Sequence, residues 1–289
     1  MKTSLRLPIV AAVCLLLLVA GCRRNQSPEP PVATASLTLS RDRVPIGSAV
    51  TLTYKFEVAP NASFDKDYTV FVHVLDPEGE QMWDDDHMPP IPTTQWKPGQ
   101  TVQYSRTVFV PNYPYIGEAR VRVGLYDQAS GKRLTLNAPQ DLTRNEYLVT
   151  TFQLLPSSEN IFLMTKAGWH PAEVDAKNPA NEWQWTKKTA TLEFRNPKKD
   201  ATFYLDFDAR PDLFNPPQHV TIRIGDQVIT EFAADSKGRT TKIFPISAAQ
   251  FGTSDMVDLV FDVDKTFAPG AGDPRELGIR VYHTYLGTK

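Results

Sequence analysis

The sequence has very little cysteine: two residues in 289, Cys14 and Cys22. Neither a disulfide framework nor a Cys-x-x-Cys zinc or redox motif can be built from them. Helical periodicity is also missing, since no window of useful length repeats its apolar residues every 3.6 positions. Nor does one sign of charge prevail. Lys and Arg number 31 against 33 Asp and Glu, a net charge of −2, which argues against binding nucleic acid through a basic surface. Gly-x-Ser-x-Gly, His-Glu-x-x-His and phosphate-cradling glycine loops are absent. On that ground the chain is read as non-catalytic and as requiring no cofactor.

What is present begins at the N-terminus. Lys2 and Arg6 precede an apolar run from Leu7 to Leu18, followed by Val19-Ala20-Gly21-Cys22. A short basic flank, a brief apolar stretch and small residues before a cleavage point describe a signal peptide, residues 1–21. The run is shorter than the roughly 20 residues that span a bilayer. Small residues directly before a cysteine resemble the lipobox of bacterial lipoproteins. That resemblance implies cleavage before Cys22, acylation of its sulfur and anchoring of the chain to a lipid membrane outside the cytoplasm. Two or three acyl chains hold stably, at about 0.8 kcal/mol per buried CH₂. Arg23, rather than an acidic residue, follows the cysteine, and the same resemblance then favours the outer membrane in a host with two. Removing residues 1–21 leaves 268 residues, with 29 basic against 33 acidic side chains and a net charge of −4.

Residues 22–35, with Pro28, Pro30 and Pro31, show no periodicity and read as a lipidated tether reaching roughly 40 Å. From Ser36 onward the period becomes two. Val50, Leu52, Tyr54, Phe56 and Val58 alternate with polar residues, as one buried strand face requires. Tyr68 to Leu75, Val102 to Val110, Ala119 to Leu125 and Tyr147 to Leu155 continue the pattern, with Arg106 interrupting one face. About seven short strands predict an immunoglobulin-like β-sandwich over residues 36–156. Pro156-Ser157-Ser158 marks the boundary. Beyond it, eight strand candidates and a hairpin at Gly225-Asp226 predict a second, jelly-roll-like sandwich over residues 157–289. The fold class is therefore all-β, with short helical turns near Ser247 to Phe251.

Chemistry-bearing residues gather in a few places. The insertion from Gln81 to Gln100 holds Trp83, Asp84, Asp85, Asp86, His87 and Trp96. Asp84, Asp86 and His87 are weak candidates for a hard cation, against the alternative of a proline-stiffened surface loop. His73 reads as a strand-face histidine with a hydrogen-bond partner. Trp169, Trp183 and Trp185 are the glycan-binding candidates, because Trp183 and Trp185 project to one side of a strand. Two adjacent indoles either form an apolar platform for sugar C–H faces or roof the sandwich core. Arg275, between Asp273 and Glu276, either forks onto a polar ligand or pins its own loop. Asp206 with Asp208, and Asp262 with Asp264, share strand faces, yet nothing in the sequence supplies the cleft that glycoside hydrolysis needs.

The segments Val70-Phe71-Val72-His73-Val74-Leu75-Asp76, Trp96-Lys97-Pro98-Gly99 and Val123-Gly124-Leu125-Tyr126-Asp127 with Arg133-Leu134 resemble a β-sandwich module of bacterial envelope proteins. Similar modules are attached to membrane glycosyltransferase-like proteins. Trp183-Gln184-Trp185 with Asp273-Pro274-Arg275-Glu276-Leu277-Gly278-Ile279 is similar to a second such module. The membrane-spanning catalytic part of those transferases is absent from this sequence. The resemblance thus implies an accessory role in polysaccharide assembly or export, the partner being a polysaccharide, or else an envelope protein docked without any small-molecule ligand.

Overall fold

The computed structural model describes residues 29–288 apart from 139, 142, 143, 180 and 271. The signal and Cys22 lie outside the described residues. Among those described, no helix is long and apolar enough to cross a membrane, and the architecture is almost wholly β.

The first half contributes β1 (Ala33–Leu39), β2 (Arg43–Pro45), β3 (Ala49–Val58), β4 (Thr69–Leu75), β5 (Gln81–Asp84), β6 (Thr101–Phe109), β7 (Gly117–Tyr126), β8 (Gln140–Asp141) and β9 (Tyr147–Leu155). One sheet has the order β1-β3-β6; the other runs β2-β9-β7-β4-β5, with β8 also paired to β9. β2 lies parallel to β9 while the remaining pairs are antiparallel. Three strands facing five in this order is an immunoglobulin-like arrangement. Alternation decides which residues meet inside. Val50, Leu52, Tyr54, Phe56 and Val58 of β3 are buried against Val70, Val72 and Val74 of β4 and Val121, Val123 and Leu125 of β7. Each such side chain contributes about 1.5–3 kcal/mol by leaving water.

β4 reads as a dense apolar run because both its faces are covered. Phe71, on the outer face, lies under the Arg133 guanidinium, 4.7 Å from the ring centroid. Gly124 faces it on β7, and a Cβ there would stand 2.1 Å from the Phe71 ring. The tether is shorter than the sequence indicates. Strand pairing begins at Ala33, not after Ala35, and Val32 N–H already donates to Thr135 O at 2.9 Å. Ala33 and Ala35 are small enough to pass for linker, yet both are buried at 1% exposure.

The second half contributes ten strands among the described residues: β10 (Leu163–Thr165), β11 (Glu173–Val174), β12 (Glu182–Trp185), β13 (Thr189–Arg195), β14 (Ala201–Asp208), β15 (His219–Ile224), β16 (Gln227–Ala233), β17 (Thr240–Ile246), β18 (Met256–Val263) and β19 (Arg280–Thr288). One sheet runs β10-β13-β18-β15-β16 and the other β11-β12-β19-β14-β17. Counted from β12 as the first of eight, the four long-range neighbours of each sheet follow 1-8-3-6 and 2-7-4-5, the winding of a jelly roll. β10 and β11 are short additions at the edges, which is why ten strands stand where eight were expected. A single helical turn, α1 (Ala248–Phe251), is closed at its start by a Ser247–Gln250 capping box.

The two hydrophobic clusters are separate, one spanning Ala33 to Leu154 and the other Ala190 to Leu286. Polar contacts join the sandwiches. Arg41 Nη1 donates to Tyr285 Oη at 2.8 Å, and Asn160 Nδ2 pins the linker to Ile46 O at 2.7 Å.

Candidate functional site

Where the sandwiches meet, the edge between β5 and β6 faces the outer surface of β14, β17 and β19. Between them runs a groove. One lobe, of 740 Å³, is lined by Trp83, Asp84, Asp85, Arg106 and Phe109 on one side and by Asp206, Arg239, Ile243 and His283 on the other. A second lobe of 510 Å³ shares Pro111 and His283 with the first and continues past Trp169, Glu182, Trp183 and Tyr282.

Each wall is built round a carboxylate, partly buried at Asp85 and buried at Asp206, that holds a guanidinium. On the first sandwich, Arg106 donates to both oxygens of Asp85 at 2.8 and 2.9 Å, and Tyr54 Oη donates to Asp85 at 3.1 Å. Arg106 is the residue that interrupts the apolar face of β6. It is tolerated because the insertion after β5 turns Asp85 inward to meet it, which also closes the open edge of the sandwich. The side chain of Asp85 is 12% exposed while that of Arg106 is 39% exposed, leaving part of the fork in the groove. Burial beside Asp85 pushes the Tyr54 hydroxyl far above its ordinary range, so it remains a donor.

On the second sandwich, Arg239 grips Asp206, with Nε at 2.8 Å from the carboxylate, and His283 Nδ1 lies 3.2 Å from the same oxygen. Burial raises the Asp206 pKa, but hydrogen bonds from His283 and Arg239 outweigh it and hold the carboxyl below its usual value. Arg239 also lies over the Tyr282 ring at 4.2 Å. One strand step along, Arg280 grips Asp208, Tyr282 Oη donates to Asp208 at 2.9 Å, and the Arg280 guanidinium sits 5.0 and 5.4 Å from the Trp183 and Trp185 rings. The outer face of this sheet is thus a layer of alternating cations and rings over two buried aspartates.

The tryptophan candidates separate accordingly. Trp183 is half-buried, lines the groove, and donates Nε1–H to Glu173 at 3.2 Å. Trp185 is 7% exposed, with Phe267 against its edge at 5.5 Å. The two indoles therefore do not form an open platform: they share a strand face, but Arg280 fills the space between them and the Phe267 loop covers the second. Trp169 borders the groove with its N–H given to Thr191 O and its ring edge-on to the core residue Phe261. Arg275 binds Asp273 through several bonds and also grips Glu173. Its own loop is pinned by this, and Trp183 is steadied through Glu173.

The weak cation candidates are pulled apart by strand alternation. Asp84 is exposed at the groove, and Asp86 accepts from Val72 N–H at 2.9 Å on the sheet face near His73. His87 points the other way, into the sandwich, between Asp85 O at 2.6 Å and Tyr104 Oη at 2.8 Å. Among the described residues no group of three His, Cys, Asp or Glu converges on one point. The cation reading of Asp84, Asp86 and His87 is corrected on that geometry. Asp262 likewise binds Arg223 and Thr189, and Asp264 caps His219 N–H, so the second pair of strand acids is occupied locally.

Sequence reasoning did not single out Phe109, Arg239, Arg280, Tyr282 or His283. One signal pointed to part of this layer: Asp206 and Asp208 recur on one face of an otherwise apolar strand, which requires cations from neighbouring strands to cover them.

No protein-family model matches the chain, and no curated protein matches it. Among solved structures, a Bacteroides uniformis β-glucuronidase aligns at 11% identity over 88% of this chain and 30% of its own, with a TM-score of 0.29. A carbohydrate-binding module with N-acetylglucosamine and adjoining domains from Clostridium perfringens ZmpB aligns at 7% identity over 88% of this chain and 40% of its own, TM-score 0.24. The Pseudomonas fluorescens alkylpurine DNA glycosylase AlkC aligns at 14% identity over 49% of this chain and 33% of its own, TM-score 0.29. The chain spans 30–40% of the length of these structures. Scores this low transfer no function, and the site stands on its own residues.

Proposed function

We propose that this is an envelope lipoprotein, acylated at Cys22, that binds glycan in the groove between its sandwiches as a non-catalytic accessory of cell-surface polysaccharide assembly or export. The observation that carries the binding reading is the composition of one long groove. Half-buried rings of Trp83, Trp183 and Tyr282 alternate there with the forks of Arg106 and Arg239, which Asp85 and Asp206 hold fixed. Sugars present apolar C–H faces beside hydroxyl edges, so a site for them needs rings and preorganised donors and acceptors side by side. Cys22 acylation rests on the sequence pattern Val19-Ala20-Gly21-Cys22.

The test is titration of the purified protein against a panel of bacterial surface polysaccharides. Trp183→Ala is expected to weaken binding roughly tenfold, since ring stacking contributes up to about 1.5 kcal/mol. An absence of binding to every glycan on the panel would remove the reading. A second reading, protein docking, has its own observation. Phe162 is 75% exposed beside the edge strand β10, with Met164 and Met256 also outward, and an open edge with apolar neighbours suits strand addition. Pull-down from envelope extracts that is lost with Phe162→Asp but kept with Trp183→Ala would favour it.

A further inference from the structure

Three loops meet at the end of the first sandwich where the described chain begins. Glu29 pairs with Lys132 at 3.0 Å, placing the chain start beside the turn after β7. That turn is tied to the loop before β4 by Lys66 Nζ on Asp127 at 3.1 Å, and this loop to the proline-rich one by Thr93 Oγ1 on Lys66 O at 3.0 Å. The proline-rich loop exposes Met88 at 48% and Ile91 at 41%, between Pro89, Pro90 and Pro92. Its backbone is held, because Trp96 Nε1 donates to Ile91 O at 2.9 Å. Ile91 thus stands out on a stiff support, and Met88 lies half exposed beside it with its sulfur accepting from Thr69 Oγ1 at 3.3 Å. The opposite end of the sandwich, where β3 begins and Arg41 reaches Tyr285, carries the groove.

Length decides which end meets lipid. From Cys22 to Glu29 are seven residue steps, at most about 25 Å when fully extended. The ten residues of β3 alone span roughly 34 Å from one end of the sandwich to the other. An anchor at Cys22 therefore cannot let the groove end face the bilayer with the loop end turned away. We infer that the Met88–Ile91 loop rests on the lipid bilayer, placing Met88 and Ile91 among the headgroups and holding the groove outward. The inference rests on acylation of Cys22 and is independent of what the groove binds. The three lysines at this end, Lys66, Lys97 and Lys132, are met by four acidic residues, Glu29, Asp65, Asp67 and Asp127, so no basic excess draws the loop to anionic lipid and the contact is apolar.

The mature chain offers a clean labelling test, because Cys14 leaves with the signal and the Cys22 thiol is acylated. A cysteine introduced at Pro90, or at Asp226 in the distant β15–β16 hairpin, is then the free thiol to carry a fluorophore. The acylated full-length protein is reconstituted into phosphatidylcholine vesicles, with and without phosphatidylglycerol, that contain nitroxide-labelled lipid. The Pro90→Cys label is expected to be quenched several-fold more than the Asp226→Cys label in both lipids. Adding Met88→Asp and Ile91→Asp is expected to abolish that difference while the protein still floats with the vesicles. Equal quenching of the two labels in floating protein overturns the inference and leaves the anchor intact. Protein that fails to float at all overturns the acylation reading, and the inference falls with it.

Discussion

The His283 ring of the second sandwich stacks on the Phe109 ring of the first, with centroids 4.9 Å apart and planes 18° from parallel. Phe109 ends β6 and His283 lies in β19, so this contact lies where the two lobes of the groove join. It fixes the distance between the walls without adding to either core. Phe109→Ala is expected to leave each sandwich folded while broadening the range of angles between them. Small-angle scattering, read as an increased radius of gyration, checks this, and an unchanged profile would show the remaining polar contacts suffice.

Asp206→Asn leaves Arg239 and His283 facing an amide in place of a buried carboxylate. The expected cost is about 1–3 kcal/mol, the range for a lost charge-assisted hydrogen bond, measured by urea unfolding. The acid dependence has a defined sign. The folded-state pKa of Asp206 is depressed, so its stabilisation is present above the unfolded carboxylate pKa of about 3.9 and is lost as pH falls through the folded value. Wild type is therefore expected to lose its advantage over Asp206→Asn in strong acid.

The ring of His87 is oriented by two partners. Asp85 O accepts from Nδ1–H, which leaves Nε2 to accept from Tyr104 Oη–H. Burial is the main cause that lowers its pKa below the ordinary histidine value. The unfolded chain then binds a proton near pH 6.5 that the native state does not, so stability falls as pH drops below that value. The slope is at most about 1.4 kcal/mol per pH unit. His87→Gln is expected to flatten this part of the stability–pH curve, and a curve parallel to wild type would contradict the assignment.

Arg280 has one carboxylate and three rings to satisfy: Asp208, Trp183, Trp185 and Tyr282. Lysine keeps the charge but lacks the planar fork that meets all four. Arg280→Lys is expected to destabilise by about 1–3 kcal/mol and to shift tryptophan fluorescence to the red as both indoles gain water. An unchanged emission maximum would mean that the rings are held by other contacts.

Much of the fold could be read from alternation. The Val50-to-Val58 face, the boundary at Pro156 and the Gly225-Asp226 hairpin all follow from period-two burial and turn chemistry, which act over a few residues. β2, β8, β10 and β11 escaped because two or three residues show no period; they exist only by pairing with a longer neighbour. The site was legible in fragments. Trp183 and Asp84 were singled out and do line the groove, whereas Trp185, on the same strand face as Trp183, is covered by Arg280 and the Phe267 loop, and His87 is turned inward.

By itself the sequence determined that the chain is all-β, that it carries two sandwiches, and that a cysteine follows an export-like segment, because each property is written in local order along the chain. Only the tertiary structure decided which rings face solvent, which aspartates are covered, and that Arg106 and Arg239 border a common groove. Those relationships join residues well separated in sequence, 33 positions for Asp206 with Arg239 and 72 for Asp208 with Arg280. They are set by strand pairing and by how the two sandwiches abut, which no local period encodes.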